Sequence, residues 1–158
     1  MSKPSIRISG PMSIDMKHMF QRAIEYYSNE LMNPQLVHNI RIHMKYGRML
    51  EKGNAGECEI VGESLTPRKF KIGINPSKDR EDVFKTLAHE MVHVKQYAYK
   101  ELKYQIRSLD KMIWKGRYVN EDKVKYERLP WEKEAFTKED ILFMNFVLSD
   151  PDVFDFFN

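Results

Sequence analysis

Between Leu87 and His93 the chain reads Leu-Ala-His-Glu-Met-Val-His. His89 and His93 are four residues apart, so on a helix both imidazoles leave one face, one turn apart. Two imidazoles placed this way can bind one Zn²⁺ at about 2.0–2.1 Å. Glu90 follows His89 directly, which sets its carboxylate beside such a metal rather than opposite it. From there it can take a proton from a zinc-bound water and later deliver one to a leaving amine.

That chemistry needs a helix. Asp79 is a suitable N-cap, and Asp82 follows at capping-box spacing, with Asp in place of the usual Glu or Gln. Val83, Phe84, Leu87, Ala88, Met91, Val92 and Val94 form an apolar stripe at helical period. Neither Pro nor Gly interrupts the stretch from Ser77 to Lys115. The helix is therefore expected to continue through Tyr97 and Leu102, as far as Leu109.

A catalytic zinc takes three protein ligands and keeps one position open. The five histidines are His18, His38, His43, His89 and His93, so no imidazole follows the motif. His38 and His43 fall in an expected strand, Leu36 to Tyr46, on opposite faces, where surface or packing roles are expected. A carboxylate is left as third ligand. Glu132 and Glu134 follow Pro130, which suits the first turn of a helix whose positive end favours acidic residues. Two positions apart on a helix, they point in different directions, so only one can serve.

The other elements read as a frame for these residues. Ser5 to Ser9 alternates like a short strand. Ser13 or Asp15 can cap a helix to Leu31, ended by Asn33-Pro34. A turn over Lys52 to Gly56 suggests a hairpin between Arg48–Leu50 and Glu57–Gly62. Phe70 to Ile74 alternates as a strand just before the motif helix. There it could form the edge of a cleft and pair with an extended peptide. A hairpin is expected around Gly116, a final helix from about Lys138 to Leu148, and an apolar, acidic tail that docks on the core.

With 158 residues, 42% hydrophobic and 31% charged, the chain is expected to be one domain with a substantial core, residues 1–158. A net charge of +3 does not demand nucleic acid. Lys111, Lys115, Arg117, Lys123, Lys125 and Arg128 do cluster after the motif, with Trp114 and Tyr118 among them. Glu121, Asp122 and Glu127 dilute that patch, so a nucleic-acid partner is possible but not favoured. One cysteine, Cys58, excludes an internal disulfide, fits a reducing compartment and is expected to be inert. No signal peptide and no apolar run near the ~20 residues of a membrane span is visible, so a cytoplasmic protein is expected.

His89-Glu90-x-x-His93 with Glu132-x-x-Ala135 resembles the gluzincin pattern of zinc peptidases. Trp114-x-Gly116 followed by Pro130-Trp131-Glu132-x-Glu134-Ala135-Phe136 is similar to small metallopeptidases of bacteriophage and bacterial genomes. A looser likeness extends to the ImmA/IrrE-type peptidases. The resemblance covers roughly Phe70 to Phe146. It implies an α+β, zincin-like fold: a small mixed or antiparallel sheet, an active-site helix and further helices packed on it. It also implies a zinc metallopeptidase acting on protein or peptide, in a host cytoplasm if phage-encoded. His89, His93 and Glu132 would be the zinc ligands and Glu90 the general base. Glu132 is preferred to Glu134 because the family's ligand lies three before the small residue. Where many gluzincins carry an Asp that orients a zinc-binding His, this chain has Phe136, so that role must fall elsewhere. Tyr118 and Tyr126 are candidate donors to an oxyanion. Two other readings are a non-catalytic zinc-containing module that binds protein or nucleic acid, and a SprT-like protease acting near DNA.

Overall fold

The computed structural model describes residues 1–47, 53–105 and 108–158. The chain begins with strand β1, Ser5–Ser9, as the alternation predicts. Helix α1, Ile14–Leu31, starts at Ser13, whose side chain accepts a hydrogen bond from the Met16 N–H at 3.1 Å. The expected strand from Leu36 is a helix in its first half. Asn33 caps helix α2, Pro34–Asn39, by accepting from the Leu36 N–H at 2.9 Å, with Pro34 in its first turn. The Asn-Pro pair that ends one helix thus starts the next, since proline tolerates a first turn and nothing deeper. Strand β2 covers only Arg41–Tyr46, and it buries Ile42 and Met44.

Three parallel or antiparallel pairings build the larger sheet. Strand β3 is Gly56–Ile60 and strand β4 is Lys69–Ile74. The order is β1-β2-β4-β3, with β1, β2 and β4 parallel and β3 antiparallel to β4. β3 pairs with β4, and the expected hairpin partner, Arg48–Leu50, lies outside the described residues. The cleft-edge expectation for Phe70 to Ile74 is corrected. That strand lies inside the sheet, and among the described residues β1 and β3 are its edges.

Helix α3, Arg80–Ala98, carries the histidine motif across this sheet. Asp79 caps it through the Glu81 N–H at 2.9 Å. It stops well before Leu109. Lys100 takes φ 61°, and the N–H groups of Lys100 and Glu101 return to the carbonyls of Tyr97 and Gln96 at 3.0 and 2.8 Å. This is a Schellman ending with Lys where Gly is usual, so no sequence signal marks it. The chain leaves the helix as strand β5, Leu102–Gln105.

β5 joins strands β6, Ser108–Trp114, and β7, Arg117–Asn120, in a three-stranded antiparallel sheet. The β6–β7 hairpin turns on Lys115 and Gly116, both at positive φ, as a two-residue turn requires. Two short 3-10 turns, Glu121–Lys123 and Tyr126–Arg128, lead to helix α4, Pro130–Leu148. Two helical segments were expected here, and the helix is continuous. Thr137 does not break it because its hydroxyl donates back to the Lys133 carbonyl at 2.7 Å. The tail is helix α5, Pro151–Phe157, and it docks. Phe157 meets Phe84 and Phe143 at centroid distances of 5.0 Å, and Arg80 donates to the Phe156 carbonyl at 2.9 Å.

One cluster of buried side chains runs from Ile8 in β1 to Val153 in α5, so the core is continuous from end to end of the described chain. The architecture is α+β. Among the described residues no helix is long and apolar enough to cross a membrane.

Candidate metal centre

α3 and α4 pack against each other, and the polar groups of interest lie in that seam. His89, Glu90, His93 and Glu132 are buried among apolar neighbours, each 4–8% exposed. Glu132 sits in the first turn of α4 and reaches both imidazoles. Its carboxylate lies 2.9 Å from His89 Nε2 and 3.2 Å from His93 Nε2. One donor atom from each of the three residues falls within 4.8 Å of the others. Among the described residues no other group of histidine, cysteine and carboxylate side chains gathers this way.

The imidazoles are held from behind. His89 Nδ1 is 2.7 Å from Glu139 Oε2, and His93 Nδ1 is 2.8 Å from Gln96 Oε1. Gln96 is fully buried and its Nε2 donates to the Trp131 carbonyl and to Glu134, both at 3.0 Å. Its Oε1 must therefore accept, which puts the proton of His93 on Nδ1. A carboxylate can only accept as well, so His89 Nδ1 is likewise the donor. Nε2 is then the atom each ring can offer a metal as a neutral imidazole, and without a metal its N–H donates to Glu132.

The electrostatics agree with that arrangement. Burial would push His89 down, but the carboxylates of Glu132 and Glu139 raise it to about 9. Burial would likewise lower His93, and Glu132 outweighs it. Burial would raise Glu132, yet hydrogen bonds from His89 and His93 hold it at about 2. In the absence of a cation the imidazoles thus supply the positive charge that Glu132 requires. The donor set fits a divalent ion of borderline softness: two imidazole nitrogens and one carboxylate oxygen. Tetrahedral bonds of about 2.0–2.1 Å separate ligand atoms by roughly 3.4 Å. The two imidazole–carboxylate distances, 2.9 and 3.2 Å, fall short of that by only a few tenths of an ångström.

Glu90 stands beside this cluster, against Gly56 of β3. Burial raises its carboxyl to about 7. It borders a cavity of about 550 Å³ together with His93, Glu132, Gly56, Cys58, Trp131 and Tyr126. A second cavity of about 540 Å³ lies on the Thr86 and Glu139 side, and Asn54 lines both. The β3 edge borders the first of them through Gly56, Glu57 and Cys58.

The remaining expectations sort clearly. Glu134 is turned away from the histidines and binds Lys95 Nζ at 3.1 Å as well as Gln96. Tyr126 donates to Glu132 Oε1 at 2.8 Å, whereas Tyr118 is 68% exposed on the small sheet. His18 and His38 are exposed, and His43 pairs with Ser9 Oγ at 3.0 Å. Cys58 lies in β3, and burial first, then Glu90, raises its thiol well above the usual range. Lys111, Lys115, Arg117, Lys123, Lys125 and Arg128 are all exposed. Trp114 packs against Trp131 at 6.3 Å and also carries Lys115 Nζ over its ring at 5.1 Å.

Glu139 and Gln96 are absent from the sequence reading. Gln96 lies three residues after His93, and Glu139 lies two helical turns after Glu132, so both positions were legible on continuous helices. Breaking α4 near Lys138 hid the second. No family model matches the chain, nor does any curated protein or solved structure.

Proposed function

We propose that this protein is a zinc-dependent metallopeptidase with a zincin-like fold, acting on protein or peptide in a reducing, cytoplasmic setting. The observation that carries the reading is the buried His89–His93–Glu132 cluster, with Glu90 beside it at the wall of an open cavity. His89 Nε2, His93 Nε2 and the Glu132 carboxylate would hold Zn²⁺. When bound, Zn²⁺ supplies Lewis acidity that polarises a carbonyl and makes water more acidic.

The chain's own groups do the rest. Glu90 accepts the proton of the attacking water and hands it to the leaving nitrogen. Glu139 and Gln96 hold the two imidazoles in the tautomer that presents Nε2. The Tyr126 hydroxyl is the nearest donor to the Glu132 side of the site and can turn to a developing oxyanion. The β3 edge offers backbone groups for pairing with an extended peptide alongside Glu90. A purely structural site would need neither Glu90 nor the open cavity.

Replacing Glu90 with Gln tests the reading. The variant should retain bound zinc and lose hydrolysis of a labelled casein. Full activity in that variant would remove Glu90 from the chemistry. Zinc without any hydrolysis in the natural protein would favour the non-catalytic binding module.

A further inference from the structure

Gly56 opens β3 where that strand passes against Glu90. Side chains two apart on a strand share a face, so Gly56, Cys58 and Ile60 all address α3. A Cβ built on Gly56 would lie 2.7 Å from Thr86 Cγ2, 3.0 Å from Glu90 Oε1 and 3.2 Å from Glu90 Cγ. Thr86 and Glu90 are four apart on α3, so their side chains stack on one face and the glycine sits over both. Gly56 pairs with Ile74 in the ladder and is not among the positive-φ glycines. Its backbone is one that any residue adopts. What the position demands is the missing side chain, not conformational freedom.

We propose that Gly56 is a positioning residue for Glu90: the hydrogen in place of a Cβ leaves the space that lets the carboxylate stand against β3 and face the metal ligands. The proposal rests on the metallopeptidase reading of the site. It can be separated from ordinary packing because the crowded atoms belong to two different residues, Thr86 and Glu90. Thr86→Ser removes Cγ2 and with it the nearer contact, while the contacts with Glu90 remain. Alanine at 56 in a Thr86→Ser background therefore isolates the effect on the carboxylate.

The test uses zinc-loaded full-length protein and acetohydroxamic acid, a small chelator whose N–O–H group hydrogen-bonds to a carboxylate beside the metal. Its affinity is measured by calorimetry, thermal unfolding is followed in parallel, and casein hydrolysis is recorded separately. Loss of a hydrogen bond to a charged group predicts roughly tenfold or weaker binding in Glu90→Gln. Gly56→Ala should weaken binding by about threefold or more while zinc stoichiometry holds, because the carboxylate must move off its position against β3. In Gly56→Ala with Thr86→Ser, unfolding should return to the natural temperature and binding should stay weak. Recovery of both together would make Gly56 a packing residue and overturn the proposal, as would natural affinity in Gly56→Ala alone. Glu90-dependent binding without casein hydrolysis would sink the peptidase reading and leave Gly56 to be judged by binding. No zinc, or no binding in the natural protein, would sink both.

Discussion

Removing the Glu139 carboxylate should loosen the metal without touching a ligand. Glu139 lies 2.7 Å from His89 Nδ1, and the two side chains are 23% and 8% exposed. Its contact fixes the imidazole's tautomer and orientation and makes Nε2 a stronger donor. Partners in this position typically contribute 10–100-fold in metal affinity. A hydrogen bond to a charged group is worth about 1.5–3 kcal/mol, which converts to roughly 10–150-fold. The partial exposure of Glu139 favours the lower part of that range, so Glu139→Ala should weaken zinc binding about 10–50-fold. Glu139→Gln keeps an acceptor and loses the charge, so it should recover part of the loss. Asp140 supplies the control: it pairs with Lys85 at 3.6 Å, is 65% exposed and faces away from the histidines. Competition against a chromophoric chelator reads the affinity, and thermal unfolding of the metal-free protein reads the fold. Natural zinc affinity in Glu139→Ala, with the fold intact, would refute the argument that this carboxylate orients His89 for the metal.

Elemental analysis should find about one zinc per natural chain, lost in Glu132→Ala and kept in Glu134→Ala, since only Glu132 meets both Nε2 atoms. Zinc uptake should depend on pH. His89 sits at about 9 without a cation and is protonated at neutral pH, so binding must expel that proton. Affinity should then rise about tenfold per pH unit and level off near 9; a flat profile by competition titration would contradict the cluster's electrostatics. Lys100→Gly should stabilise the protein. It relieves a left-handed backbone at φ 61° by about 1 kcal/mol, read as a rise of roughly 2–4 °C in Tm. A fall in Tm would deny that α3 ends as described.

How far the sequence reaches can be judged from particular residues. α1 was legible to both ends because a capping serine, an apolar stripe and Asn-Pro all agree. α2 was missed because Val37 and Ile40 are β-branched, and propensity was read ahead of the Asn33 cap. The end of α3 was missed because the αL residue is Lys100, which carries no glycine signal. The split expected in α4 began a new helix near Lys138, whereas the Thr137 hydroxyl returns to the Lys133 carbonyl and one helix runs from Pro130 to Leu148. Strand existence was clear in β4, while its neighbours were not, because pairing is a long-range choice that alternation leaves open.

The sequence by itself determined that His89 and His93 share a helical face and that Glu90 stands beside them, because helical spacing is a local property of the backbone. It also determined that no later histidine could join them. Which carboxylate closes the group was decided by tertiary packing. Glu132 and Glu134 differ by two positions on one helix, and only the way α4 lies against α3 turns the first toward the imidazoles and the second toward Lys95 and Gln96. The same packing brings Glu139 behind His89 and sets β3 against Glu90, contacts between residues tens of positions apart that no local pattern encodes.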